Sequence, residues 1–256
     1  SNLGANPKLF DRFIEKLKPI IEEKKVKEFK LFTSIDTWDK DKAEYIRNGL
    51  DIELFKRNFD KYLTEIKDSK LSLMITFNNL CVTNFDSLLE QILVWRKEYN
   101  DKTARERGNI NQPIPLQRIQ MDTPYLKEPP HYDMNILPKD DFTHYMNRHL
   151  EFMINFQDDD DNTKFKTLEV EKFRRVVDYF KSAEVDEDYL RKGRSDFYNF
   201  FDEHDRRRDT DFIKAFPEYE EFYNSCRLST TKTQRAIRLE QRRAEMMRRK
   251  QNDKVD

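Results

Sequence analysis

The sequence predicts an α/β fold, with parallel strands in the amino-terminal half and an all-helical extension after Pro138. Three observations support this class. Short apolar runs rich in β-formers alternate with amphipathic helices as far as residue 121. No strand-like run follows Pro138. The chain has only 4 Gly in 256 residues, which disfavours both an all-β fold full of tight turns and a glycine-rich phosphate-binding loop.

Helices and strands alternate along the first half of the chain. Apolar residues at helical spacing predict helices over 7–25, 41–48, 52–66 and 84–99, with Asn84 as the N-cap of the last one. Runs rich in β-branched and aromatic residues predict strands over 29–35, 70–77 and 116–121. Because helical crossovers of this length separate the strands, we expect the strands to run parallel in right-handed βαβ units.

The second half of the chain shows helical periodicity throughout. It predicts helices over 139–156, 166–183, 186–206, 210–224 and 232–250, and Pro217 interrupts the fourth of them. These patterns divide the chain into an α/β part over 1–138, a helical extension over 139–226, and a basic, exposed helix or tail over 227–256. The last helix has too few apolar positions for a buried stripe.

Charge is distributed unevenly, although the formal net charge is only -1. Residues 227–256 hold ten Lys/Arg against four Asp/Glu, which is +6, so the rest of the chain carries -7. Such a tail is typical of a solvated helix face and is also compatible with a nucleic-acid contact. No apolar run reaches the ~18 residues of a membrane span. With two distant cysteines, Cys81 and Cys226, the expected location is the cytoplasm.

Small polar residues follow each predicted strand. They are Ser34 and Asp36, Asn78 and Asn79, and Asp122 and Thr123. Because the carboxyl ends of parallel strands meet at one edge of a sheet, we expect these side chains to lie close together. Hydroxyl, amide and carboxylate groups at such an edge suit hydrogen bonding to a ribose and to an amino-acid zwitterion. The alternative is that they serve only as turn formers and helix caps.

Several short motifs follow one another in a fixed order. They are Ser34-Ile35-Asp36, Tyr45-Ile46-Arg47-x-Gly49, Ile75-Thr76-Phe77-Asn78-Asn79 and Asp122-Thr123-Pro124-Tyr125, followed by Arg194-Ser195-Asp196-Phe197-Tyr198, Asp205-Arg206-Arg207-Arg208 and Phe216-Pro217-Glu218. In this order, over roughly residues 1–226, they resemble the radical SAM (S-adenosylmethionine) superfamily. Within it, the chain is most similar to the twitch or SPASM-like subgroup.

The resemblance implies the carboxyl-terminal part of a partial parallel (β/α) barrel, followed by a helical extension. It also implies S-adenosylmethionine and a [4Fe–4S] cluster as cofactors, a 5′-deoxyadenosyl radical as the reactive species, and an unidentified substrate, for which the subgroup suggests a peptide. Ser34 and Asp36 would lie beside the ribose or methionine part of S-adenosylmethionine. Arg47 would bind its carboxylate, and Asn78 or Asn79 would bind its ribose or adenine. The other interpretation of Arg47 is an exposed helix residue paired with Glu44.

The chain departs from this family at the cluster. The family's C-x-x-x-C-x-x-C loop is absent, and Cys81 and Cys226 cannot replace three thiolates at one place. We therefore expect this chain to be the carboxyl-terminal part of a longer protein and to be inactive by itself. The alternative function is a non-catalytic interaction protein with an α/β and helical scaffold, whose basic tail over 227–256 binds RNA or a protein partner.

Other candidate positions predict less chemistry. Asp158, Asp160, Asn162 and Glu169 match the start and end of a calcium loop, but Thr163 stands where that loop requires glycine, so no calcium is expected. His144 and His149 are five residues apart and point to different faces of a helix. His131 lies in a proline-rich loop, where it faces either a substrate or the solvent.

Overall fold

The computed structural model describes residues 3–101, 105–107, 113–228 and 230. Its centre is a parallel sheet of three strands, β1 (Lys30–Ser34), β2 (Lys70–Met74) and β5 (Ile119–Asp122), in the order β1-β2-β5. A separate antiparallel pair is formed by β3 (Arg105–Arg107) and β4 (Pro113–Pro115). The three predicted strands and their parallel direction are therefore confirmed, whereas the short antiparallel pair was not predicted.

Helices precede and separate the strands of the sheet along the chain, and further helices follow its last strand. They are α1 (Pro7–Glu22), α2 (Lys40–Ile46), α3 (Ile52–Glu65), α4 (Phe85–Tyr99), α5 (Lys139–Asn155), α6 (Thr167–Ser182), α7 (Glu187–Arg208), α8 (Phe212–Ala215) and α9 (220–228). Single 3₁₀ turns lie at Asn79–Cys81, Pro130–Tyr132, Met134–Ile136 and Pro217–Tyr219. In the described part of the chain, no helix combines the length and apolarity needed to cross a bilayer.

Two predicted helices differ from the structure in detail. The prediction over 210–224 was wrong as one helix, because α8 ends before Pro217, whose ring fixes φ and removes an N–H, and a 3₁₀ turn leads into α9. Asn84 does occupy the N-cap of α4, but its amide donates to the carbonyl of Leu80 at 2.8 Å rather than capping. The predicted helix over 232–250 lies outside the described residues.

The two faces of the parallel sheet differ in burial. On one face, Leu71, Leu73, Ile119 and Met121 are at most 5% exposed. On the opposite face Phe32 is 50% exposed, and Gln120 is partly exposed beside a groove of about 730 Å³ that runs along α6. Parallel sheets in α/β proteins are normally covered on both faces. Within the described residues, one face of this sheet is therefore packed against other elements, whereas the opposite face is partly exposed.

The carboxyl-terminal helices close over the carboxyl edge of the sheet. The Tyr45 hydroxyl on α2 donates to Asp205 Oδ1 on α7 at 2.8 Å, and the Tyr219 hydroxyl donates to the carbonyl of Asn79. Glu218 accepts from Lys42 Nζ at 2.7 Å. The buried apolar residues of both parts form a single cluster. The helical extension over 139–226 therefore shares one hydrophobic core with the α/β part.

Candidate functional site at the carboxyl edge of the sheet

The residues predicted for the site lie at the carboxyl ends of β1 and β2, as parallel strand direction requires. Ser34 is the last residue of β1, and Asp36 follows two positions later on the same side of the chain. Asn78 and Asn79 lie where the chain leaves β2 and enters the turn Asn79–Cys81. Ser34 is half-buried and makes no side-chain hydrogen bond within the described part of the chain.

Arg47 and Asp36 form the central contact of this edge. Arg47 Nη2 donates to Asp36 Oδ1 at 3.0 Å, and Nε lies 2.7 Å from Oδ2. The Asp36 side chain is 4% exposed, whereas that of Arg47 is 28% exposed. Burial raises the pKa of Asp36, and the Arg47 guanidinium opposes that shift. Arg47 is thus not paired with Glu44, whose carboxylate accepts the backbone N–H of Ile52 at 3.2 Å.

The two asparagines after β2 have different surroundings. Asn78 Oδ1 accepts the backbone N–H of Leu80 at 2.9 Å, and its Nδ2 donates to the carbonyl of Thr76 at 2.9 Å. The first of these bonds caps the 3₁₀ turn. Asn78 therefore acts here as a turn former, which is the alternative to a binding role for the polar residues after the strands. Asn79 Nδ2 donates to the carbonyl of His131 at 2.8 Å, but its buried Oδ1 has no hydrogen-bond partner among the described residues. Asn79 therefore has one polar atom without a partner, whereas both polar atoms of Asn78 are hydrogen-bonded.

The third predicted strand end contributes a surface contact. Asp122 Oδ1 lies 2.8 Å from Lys172 Nζ on α6, and both side chains are more than a third exposed. Such a pair contributes little to stability because solvent screens it. Of the predicted side chains, the structure brings Asp36 and Arg47 into contact, while Asp122 pairs with α6 instead.

Five further side chains lie near this edge, next to Asn79 and Tyr45, and of these only His131 was a candidate in the sequence. They are His131 and Tyr132 from the turn Pro130–Tyr132, and Phe200, His204 and Arg208 from α7. His131 stacks on Phe200 with ring centroids 4.5 Å apart, and burial lowers its pKa. Burial also raises the pKa of Tyr132, which Arg208 lowers and Asp36 raises. Residues 200, 204 and 208 are spaced four apart on one face of α7, and this spacing is the sequence signal that could have predicted them as one group.

The cysteines do not fit an iron–sulfur cluster. Cys81 and Cys226 are the two cysteines of the sequence, and both are free and buried. Burial, followed by the charge of Asp36, raises the pKa of Cys81 well above its usual value, so this thiol stays protonated. Within the described residues, no three His, Cys, Asp or Glu side chains are grouped to hold a metal ion. We therefore derive no chemical step through a cluster in this chain.

The acidic loop after α5 holds a lysine ammonium at its centre. Lys166 Nζ donates to the carbonyls of Asp158, Asp159 and Asp161 at 3.2, 3.0 and 3.1 Å. Glu169, which stands at the twelfth position of the calcium-like pattern, pairs with Arg96 at 2.6 Å instead. The carbonyl oxygens of this loop therefore bind a cation that the chain itself supplies.

The basic tail predicted over 227–256 lies outside the described residues, except for residues 227, 228 and 230, so its role in binding RNA or a protein stays a prediction. Comparison with known proteins gives no relative: no protein-family model, no curated protein and no solved structure matches this chain. Functional conclusions therefore depend on the residues and geometry of the chain itself.

Proposed function

We propose that this chain forms the S-adenosylmethionine-facing part of a radical SAM enzyme, a partial parallel (β/α) barrel followed by a helical extension. The proposal combines the ordered motifs of the sequence with the position of their side chains at one edge of a parallel sheet. The chain itself would bind and orient S-adenosylmethionine. The cluster that cleaves this cofactor would depend on cysteines that are not among the residues of this chain.

One observation carries the proposal, namely the unused half of the Arg47 guanidinium. A guanidinium presents two forks of N–H donors, and each fork can bind one carboxylate. Asp36 accepts a hydrogen bond from Nη2 and forms an ion pair with Nε at 2.7 Å, and Nη1 makes no hydrogen bond to the described part of the chain. The buried Asp36 therefore fixes the orientation of Arg47 and leaves its second fork for the carboxylate of an amino acid.

Two neighbouring groups support the same ligand. Asn79 has a buried Oδ1 without a partner among the described residues, and an amide oxygen can accept from a ribose hydroxyl or an adenine amine. Ser34 provides a hydroxyl at the end of β1, on the side of the sheet that carries the exposed Phe32. A carboxylate, a ribose and an adenine thus each have a matching group along one edge. When bound beside a reduced cluster, S-adenosylmethionine supplies the radical chemistry of this superfamily.

The first test measures S-adenosylmethionine binding by isothermal titration calorimetry. Replacing Arg47 by Met should weaken binding by about 2–3 kcal/mol, as expected for loss of a charge-assisted hydrogen bond. Arg148→Met is the matched control, because Arg148 forms another Arg–Asp pair, with Asp86 at 2.7 Å, and neither residue is among those proposed to bind S-adenosylmethionine. The control should bind like the wild type. If the wild type does not bind, or if Arg47→Met binds equally well, the proposed function is wrong.

A further inference from the structure

A continuous chain of hydrogen bonds ends at Arg208, the last residue of α7. The hydroxyls of Tyr45 and Thr210 both donate to Asp205 Oδ1, at 2.8 and 2.7 Å. The Thr210 hydroxyl lies 3.3 Å from His204 Nδ1, and Arg208 Nη1 lies 2.7 Å from His204 Nε2. Because a guanidinium can only donate, Nε2 must accept, and the proton of neutral His204 is assigned to Nδ1, where Thr210 accepts it.

These hydrogen bonds hold His204 and, through it, the guanidinium of Arg208. The His204 side chain is only 7% exposed, and its ring lies 4.5 Å from that of Tyr45. Burial and the charge of Arg208 lower the pKa of His204, which keeps the ring neutral and able to accept. An arginine at the end of a surface helix normally samples many rotamers. Arg208 is instead oriented by a buried acceptor.

Arg208 differs from its two neighbours in its partners. Arg206 and Arg207 both pair with Glu203, at 2.6 and 2.5 Å. Arg208 is exposed and makes no ion pair with a carboxylate in the described part of the chain, and its side-chain hydrogen bond there is to the imidazole of His204. The protein therefore fixes one guanidinium of this cluster without neutralising it.

The position of Arg208 relates it to the proposed cofactor site. Tyr132 packs against α7, the helix that ends at Arg208, with its ring 5.6 Å from that of Phe200 and 6.0 Å from that of Phe201, and the ring of Tyr45 lies 6.1 Å from that of Phe201. Tyr45, which begins the hydrogen-bond chain, precedes Arg47 by two residues, and Arg47 is the C-cap of α2. The ends of α2 and α7 are thus joined, and each presents one arginine with donors to spare.

We propose that Arg208, positioned by His204, and the Tyr132 hydroxyl form a second anion-binding position beside Arg47, which holds a carboxylate or phosphate group of the substrate. This inference rests on the proposed function, since it takes Arg47 as the residue that binds the carboxylate of S-adenosylmethionine. It adds the chemical class of the substrate, an anion. Arg208 and Tyr132 would contact that anion, whereas His204 would act only by orienting Arg208.

The test titrates the isotope-labelled chain with inorganic phosphate and, separately, with succinate, and follows the resonances of α7 by nuclear magnetic resonance. Arg208→Gln should weaken binding about tenfold, as for one charge-assisted hydrogen bond. Arg207→Gln is the matched control at the same helix end and should change affinity less than twofold. Tighter binding of phosphate identifies a phosphorylated substrate, and tighter binding of succinate identifies a carboxylate, so either preference supports the position.

Two variants of His204 test its positioning role. His204→Phe keeps a ring against Tyr45 but removes the acceptor, so anion affinity should fall about as much as in Arg208→Gln. His204→Gln restores an acceptor and should recover most of the affinity. Equal losses in Arg207→Gln and Arg208→Gln would overturn the proposal, because any basic helix end would then suffice; so would a wild-type chain that binds neither anion.

S-adenosylmethionine binding, measured on the same variants, separates this inference from the proposed function. Arg208→Gln should leave cofactor affinity within twofold of the wild type. A chain that binds S-adenosylmethionine but neither anion contradicts only the substrate position. A chain that binds anions through Arg208 but not S-adenosylmethionine contradicts the proposed function and leaves the anion position supported.

Discussion

The described residues include two contacts between an arginine and a buried carboxylate, a bidentate one between Arg96 and Glu169 and one with a single hydrogen bond between Arg47 and Asp36. Both carboxylates are less than a tenth exposed. The two pairs differ in how many N–H donors of the arginine remain without an acceptor. The protein uses nearly all N–H donors of Arg96, whereas Nη1 of Arg47 has no acceptor among the described residues.

Arg96 connects four parts of the fold from a fully buried position. Its guanidinium donates to both oxygens of Glu169, at 2.6 and 3.0 Å, and to the carbonyls of Ile119 and Lys164, both at 3.0 Å. Glu169 in turn accepts the backbone N–H groups of Lys166 and Met121. The pair thereby ties α4, β5, the acidic loop and α6 together, and it satisfies backbone groups at the outer edge of β5.

Among the described residues, the Arg47 guanidinium pairs only with Asp36, and its side chain is 28% exposed. The comparison indicates that burial of a charge pair alone does not separate scaffold from site. A candidate site is better indicated by the number of side-chain donors and acceptors that have no partner within the protein. By that measure Arg96, Glu169 and Asn78 belong to the scaffold, and Arg47 and Asn79 belong to the candidate site.

The largest expected effect is on the scaffold pair. Arg96→Met leaves the Glu169 carboxylate buried without its counter-ion, so the free energy of unfolding should fall by about 3–5 kcal/mol. Urea unfolding followed by circular dichroism measures this change. Arg148→Met, which breaks a pair with more than a third of each side chain exposed, should cost less than about 1 kcal/mol. Equal costs for the two variants would show that the buried pair is not a scaffold contact.

A smaller change in the free energy of unfolding, of opposite sign, is expected at the pair Arg47–Asp36. Because burial raises the pKa of Asp36, its folded-state stabilisation is present at acid pH and is lost as pH rises through that raised value. Asp36→Asn removes this titration, so at pH 7 the variant should be at least as stable as the wild type. The difference should shrink as pH falls toward the ordinary range of Asp.

Urea unfolding of both proteins between pH 5 and pH 8 measures that difference. Cofactor binding should fall in Asp36→Asn at the same time, since Arg47 loses the carboxylate that orients it. A variant that is much less stable than the wild type at pH 7, by the amount expected for Arg96→Met, would place Asp36 with the scaffold and contradict the comparison.

The smallest expected effect tests the assignment of Asn78. Asn78→Ala removes the cap of the turn Asn79–Cys81 and should cost about 1 kcal/mol of stability. Because both polar atoms of Asn78 already serve the backbone, S-adenosylmethionine affinity should not change. A clear loss of affinity in a variant of near-normal stability would return Asn78 to the candidate site.

The sequence predicted most elements of this fold because each has a local signal. The strands at 30–34, 70–74 and 119–122 follow from β-forming runs, and their parallel direction follows from the helices between them. The contact of Asp36 with Arg47 joins residues predicted for one site, and it depends on strand ends meeting at one edge. The pair β3–β4 was not predicted, because three-residue strands carry almost no periodicity.

The amino-acid sequence by itself determined the α/β class, the three parallel strands and the polar residues at their carboxyl ends, since these depend on periodicity and chain direction. Only the tertiary structure decided which of those side chains already have partners within the protein. Asn78 caps a turn, Asp122 pairs with Lys172, and Asp36 pairs with Arg47. The tertiary structure also brought His204 and Arg208 of α7 next to Tyr45 of α2. The physical reason is that hydrogen-bonding capacity is a property of a side chain, whereas its use depends on which neighbours the fold brings into contact with it.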